Sequence, residues 1–136
     1  MYRRRGLRRR LGYGGVVTPG TPWVASAEIQ SLGATAIHTP PAGLRFQLMG
    51  AVWTFPPGLL SGGNTIVDMD DAAGLIAEVA HIIPPALTAG FSVFYDFSAM
   101  GGYISTADNA VLNGVLAGNA FTAANNASVT AWGYDV

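Results

Sequence analysis

Eight short apolar runs, none longer than twelve residues, limit what this chain can fold into: "VASAEIQSL", "TAIHT", "LRFQLMGAVWTF", "NTIVDM", "GLIAEVAHII", "FSVFYDF", "AVLNGVLAG" and "ASVTAWGYDV". Turn formers separate them, at Pro40-Pro41, Pro56-Pro57, Gly62-Gly63-Asn64, Pro84-Pro85, Gly101-Gly102 and Asn125-Asn126. Runs of this length and spacing predict an all-β sandwich or barrel of about eight strands. Within "LRFQL" the alternation puts Leu44, Phe46 and Leu48 on one face and Arg45 and Gln47 on the other. "FSVFYDF" places Phe91, Val93, Tyr95 and Phe97 inward, yet Phe94 emerges on the outward side, so that face is expected to be covered too. In "SVTAWGYDV", Trp132 and Tyr134 share one face. The small Val129, Ala131 and Gly133 form the other, which admits close approach of another sheet or chain.

One run departs from this pattern. Residues 70–83, "DDAAGLIAEVAHII", follow a plausible N-cap aspartate and carry Leu75, Ile76, Val79 and Ile83 at helical spacing. That spacing predicts one short helix or helical turn, against the competing signals of Gly74 and the surrounding strands.

The charge is distributed unevenly. "MYRRRGLRRR" holds six of the seven positive charges, and the remainder carries Arg45 against eight acids, a net −7 with neutral histidines. "LGYGGVVTPGTP" then supplies an extended connector. The expected organisation is an arginine-rich arm and linker over residues 1–22 and one β-sandwich domain over 23–136. A body of about 120 residues buries roughly two-thirds of its unfolded surface, enough for an independent core. With half the residues apolar and only 11% charged, polar groups are too few to cover a monomer. Association with itself or with partners is expected.

Several functions are disfavoured by the residues themselves. The absence of cysteine removes disulfides, thiolate chemistry and Cys-ligated metals. Ala25-Ser26-Ala27 imitates a leader cleavage site, but the Gly/Pro-rich stretch before it suits no apolar leader helix. Glu78, His81 and Pro84-Pro85 interrupt the most apolar window, so neither a membrane span nor a membrane partner is expected. No nucleophile elbow, P-loop, zinc-protease helix or dinucleotide fingerprint is present. His38 and His81 read as structural histidines lacking orienting partners. We therefore expect no enzyme, no catalytic residue and no cofactor. Asp68, Asp70 and Asp71 depart from the EF-hand spacing, with Ala73 at the sixth position and Val79 at the twelfth. They read as a solvated turn, a helix cap or an arginine-docking site, with a lattice calcium as a lesser alternative, and no metal ligand is assigned.

The arm is the strongest functional signal. Arginine forks bind phosphate or carboxylate bidentately. Arg3, Arg4, Arg5, Arg8, Arg9 and Arg10 thus suit either packaged nucleic acid or acidic protein surfaces, with Tyr2, Leu7 and Leu11 as apolar pegs between them. The acidic body makes the protein reading the favoured one. A solvated tail is the bland alternative.

"HTPPAGLRFQLMGAVW", "NAVLNGVLAGN" and the chain-ending "ASVTAWGYDV" resemble the small β-sandwich or jelly-roll proteins of tailed-bacteriophage virions, of capsid decoration (cement), head-fibre or small tail type. The resemblance covers residues 34–136. It implies a jelly-roll-like module that assembles, often as trimers, on the major capsid protein or other virion subunits, with the N-terminal segment as anchor. The arginine cluster departs from many such proteins and is similar to the genome-facing arms of small coat proteins, which leaves a coat or nucleocapsid role as the alternative. A third reading is a receptor- or carbohydrate-binding tail module with Trp23, Trp53, Trp132 and Tyr134 as stacking platforms.

Overall fold

The computed structural model describes residues 20–59, 63–83, 89–122 and 126–136. All nine arm residues with an expected anchoring role, Tyr2, Arg3, Arg4, Arg5, Leu7, Arg8, Arg9, Arg10 and Leu11, lie outside the described residues.

Among the described residues nine strands run in order: β1 (Thr21–Ile29), β2 (Gly33–His38), β3 (Phe46–Phe55), β4 (Thr65–Asp70), β5 (Leu75–Ile82), β6 (Phe91–Asp96), β7 (Tyr103–Ile104), β8 (Leu112–Ala117) and β9 (Ala127–Asp135). A 3₁₀ turn, Ser98–Met100, follows β6. The first sheet has the order β1-β9-β3-β6, with β7 also paired to β3, and the second has the order β2-β8-β4-β5. All pairings are antiparallel. Without the two-residue β7 the strands nest, β1 with β9, β2 with β8, β3 with β6 and β4 with β5. This is the double-sheet jelly-roll order, and the expected all-β sandwich is what the chain forms.

The short helix expected over residues 70–83 is replaced by a strand, β5. Pairing between β4 and β5 shifts twice, so that Val79 and Ile76 are extra residues opposite the Val67–Asp68 and Met69–Asp70 steps. Each bulge advances the side-chain pattern by one residue. With two bulges the inward apolar residues of β5 become Ile76, Val79 and Ile82, spaced by three, which imitates a helical turn, while Leu75 and Ile83 of the expected helical set are exposed.

The inner faces make one core. Phe46, Leu48, Ala51, Trp53 and Phe55 of β3 are buried against Val67 and Met69 of β4 and Leu112 and Leu116 of β8. Trp53 crosses the gap between sheets. A Cβ on Gly114 of β8 would stand 2.9 Å from its Cη2 and 2.7 Å from Cδ1 of Ile29, so the indole and the isoleucine occupy the space that a side chain there would need. The small face of β9 is buried as the alternation predicts. At Gly133, however, the close neighbour is the Gln47 carbonyl of β3 in the same sheet, against which a Cβ would collide, with the Trp23 ring 3.1 Å away. The glycine therefore serves strand pairing beside the Leu48/Gly50 bulge.

Candidate functional site

The outer face of the first sheet carries a groove of about 540 Å³. Strand alternation builds it. Register places Pro22 beside Tyr134 and Val24 beside Trp132, while Phe94 and Asp96 project from β6 across β3. Met49 and Ser98 complete the wall. Its floor depends on Gly50, which pairs with both Trp132 and Asp96. A Cβ at Gly50 would strike the Trp132 ring, so the missing side chain lets the indole lie down on the sheet. Trp132 and Phe94 meet with ring centroids 6.1 Å apart and planes tilted by 37°.

The lining is apolar and open. Val24 is 75% exposed, Phe94 64% and Tyr134 37%. Among the described residues, Asp96 is the groove's one charged side chain and no cation lines it. Hydrogen bonds from the Ser98 hydroxyl and N–H, the latter at 2.9 Å, hold the Asp96 carboxyl below the usual carboxylate range, so it is ionised at neutral pH. Away from the aromatic end the same face turns polar, with Ser26 Oγ and Thr130 Oγ1 hydrogen-bonded at 2.9 Å.

The sequence-predicted stacking residues separate into two sets. Trp132 and Tyr134 line the groove with Phe94. Trp53 is fully buried. Trp23 borders the groove but stacks its ring on His38, with centroids 4.0 Å apart and planes 9° from parallel. His38 Nε2 is 2.8 Å from Asp135 Oδ1, joining β2 of one sheet to β9 of the other. This largely buried trio is a clamp between sheets, consistent with a structural histidine. His81 is exposed on β5, opposite Ile66, because bulged strand alternation turns it outward.

The aspartate cluster splits across the sandwich. Asp71 is fully buried. Its Oδ1 accepts the N–H groups of Ala73 at 3.1 Å and Gly74 at 3.0 Å. Oδ2 accepts the Tyr103 hydroxyl at 2.8 Å and both the N–H and hydroxyl of Thr106 at 2.9 Å. Burial pushes this carboxyl up, but the donors from Thr106, Tyr103 and Ala73 outweigh it and the net pKa lies below the ordinary value. Burial, together with Asp71, pushes the Tyr103 hydroxyl up to about 12. The helix-cap role considered for this cluster gives way to a cap on the β4–β5 turn that also ties β4 to β7.

Asp68 and Asp70 face outward on β4. Asp70 Oδ1 accepts from Asn113 Nδ2 and the Ala72 N–H, both at 3.2 Å. Burial, then the neighbouring charges of Glu78 and Asp70, raise the Asp68 carboxyl. Among the described residues no group of three His, Cys, Asp or Glu side chains is placed to hold a metal ion. The one body arginine, Arg45, pairs its Nε with Asp108 Oδ1 at 2.9 Å. Among the described residues no helix is long and apolar enough to cross a membrane.

Of the groove residues, Trp132 and Tyr134 are expected from the sequence as stacking platforms, whereas Phe94 is expected only as an outward residue on a covered face and is 64% exposed within the described residues. Met49 and Asp96 were missed, although the alternation that turns Phe94 outward carries Asp96 with it. Compared with known protein families, with curated proteins and with solved structures, the chain matches none.

Proposed function

We propose that this chain is a non-enzymatic structural subunit of a virion, of the capsid decoration or cement type. It docks on the major capsid protein and on copies of itself through the outer face of its first sheet, and its arginine-rich N-terminal segment acts as a tether. The observation that carries this reading is the open apolar face of Val24, Phe94, Trp132 and Tyr134 on a jelly roll, a fold used by viral capsid and lectin domains. Weak contacts of this kind gain strength by repetition across a symmetric assembly, with a trimer the favoured unit. The groove offers one carboxylate and no nucleophile–base pair, which suits docking better than catalysis.

Neutralising the arm is the direct test. The full chain carrying glutamine at Arg3, Arg4, Arg5, Arg8, Arg9 and Arg10 is expected to keep its fold by circular dichroism. By sedimentation velocity after nuclease treatment, it should lose the salt-sensitive self-association of the wild type. Equal association of the two would refute the tether. Tight binding of the wild type to single-stranded nucleic acid, with log affinity against log salt falling at a slope of roughly −4 to −5 for six contacts, would move the chain to the coat or nucleocapsid class.

The clustering of Trp132, Tyr134 and Phe94 beside Asp96 also favours a second reading, a receptor- or carbohydrate-binding tail module. Under that reading a neutral oligosaccharide should quench tryptophan emission in wild type and not in Trp132→Phe.

A further inference from the structure

The groove lies beside the start of β1, the strand that the arm and linker precede in sequence. Pro22, Trp23 and Val24 of β1 form one wall. Just before them the backbone is pinned at Gly20, which passes so close to the Asp135 carbonyl that a Cβ would collide with it. Only the ten residues Leu11–Gly20 separate Arg10 from β1, and ten residues reach at most about 35 Å. That length lets the arginine cluster reach this groove, on its own subunit or on one in contact with it.

The chemistry of the groove matches that cluster. Guanidinium planes stack on aromatic faces and pair with carboxylates, and they shed water more readily than ammonium groups. The groove presents Phe94, Trp132 and Tyr134 as faces, Asp96 as an ionised carboxylate and, among the described residues, no cation. Arg45 is already engaged with Asp108. The body carries net −7, so its sixfold positive head is the only cationic segment in the sequence able to balance it.

The competing acidic surface fits less well. Asp68, Asp70 and Glu78 lie on the outer face of the second sheet, where Ile66, Val115, Ala117 and the imidazole of His81 share the face and, among them, supply no Phe, Tyr or Trp ring. Asp70 is also occupied by Asn113 and by its own turn.

We propose that the groove formed by Phe94, Asp96, Trp132 and Tyr134 is the docking site for the arginine-rich segment Arg3–Arg10 of this same protein. Guanidinium groups stack on the aromatic side chains, and one pairs with Asp96. The inference rests on the reading of that segment as a tether and adds the surface it grips.

The test uses the full chain with all six arm arginines changed to glutamine, which leaves the groove intact and unoccupied by its own arm. A fluorescein-labelled peptide of residues 1–12 is titrated with it and followed by anisotropy. Saturable binding that weakens with salt is expected. Phe94→Ser and Asp96→Asn, introduced separately, should each raise Kd by roughly tenfold. Both side chains are exposed, so the fold should survive, as the thermal midpoint will check. The pair Asp68→Asn and Glu78→Gln should leave Kd unchanged.

Absence of binding overturns the proposal, as does an affinity indifferent to Phe94 and Asp96 or one that follows Asp68 and Glu78. Sedimentation of the same proteins separates the two levels of the argument. If neutralising the arginines abolishes association while the groove substitutions do nothing, the tether stands and this docking site falls. If neutralisation leaves association intact, the tether itself falls.

Discussion

Replacing Asp71 with alanine is expected to remove about 3–5 kcal/mol of folding stability at neutral pH, because several buried donors lose their acceptor at about 1–3 kcal/mol for each one left unmet. Five donors converge on this carboxylate, from Ala73, Gly74, Tyr103 and twice from Thr106. Removal leaves the Thr106 N–H and its neighbours without an acceptor in a water-poor site, and unmet polar groups are costlier than absent ones. Asparagine is not a conservative replacement. Whichever way its amide turns, the nitrogen would face backbone N–H donors, that of Thr106 or those of Ala73 and Gly74, which cannot reverse their role. For a domain with about 5–15 kcal/mol of total stability, alanine alone removes a large share.

The pH dependence follows from the direction of the shift. The folded pKa of Asp71 lies below its unfolded value. Its contribution is therefore present above the unfolded value of about 3.9 and lost as pH falls through the lower folded value. Urea unfolding at about pH 7 should show the full gap between wild type and Asp71→Ala, and at about pH 2 the gap should narrow. Tyr103 works in the opposite direction. With its folded pKa raised to about 12, its stabilisation is complete below the unfolded value of about 10 and is lost as pH rises through the folded value. Tyr103→Phe should remove that alkaline limb. A gap between wild type and Asp71→Ala that ignores acid would show that the carboxylate is not what holds the β4–β5 turn to β7.

Trp53→Ala should cost a similar amount, about 3–5 kcal/mol for an aromatic core truncation. The side chain is fully buried and reaches from β3 to the backbone of β8, so its loss leaves a void that two hydrogen-bonded sheets cannot close. Trp53→Phe should be milder than its lost area suggests. The indole Nε1 is buried with no hydrogen-bond partner among the described residues, and removing it also removes a desolvation cost. Gly114→Ala in the wild type should cost about 1–3 kcal/mol because the new methyl meets Ile29 and Trp53. Placed in the Trp53→Phe background, the same methyl is relieved of its clash with the indole, while its contact with Ile29 remains. The double variant should therefore be more stable than the sum of the singles by at least about 0.5 kcal/mol. Additive losses in denaturant unfolding would mean that the indole does not cross to β8.

The fold class was legible because alternation and turn pairs are local signals. All eight apolar runs became strands, and the outward pattern of Phe94, Trp132 and Tyr134 already marked one face. Strand order was not legible, since it rests on pairings such as Thr21 with Asp135 that no local pattern encodes. β7 escaped because two residues carry no periodicity. β5 misled because two bulges mimic helical spacing. Asp71 looked like a surface turn or cap, and its partners Tyr103 and Thr106 are 32 and 35 residues away in sequence. The groove floor was equally hidden, for nothing near Gly50 announces that Trp132 will lie across it.

Whether the arginine-rich segment joins protein to protein in a virion lattice, as proposed, can be seen in a cryo-EM map of the native particle, resolved well enough to identify what lies within hydrogen-bonding distance of Arg3 to Arg10. Carboxylates, carbonyls and aromatic faces of protein subunits are expected there. Phosphate density along those arginines on the inner face of a shell, or particles that lack this chain altogether, would contradict the proposal.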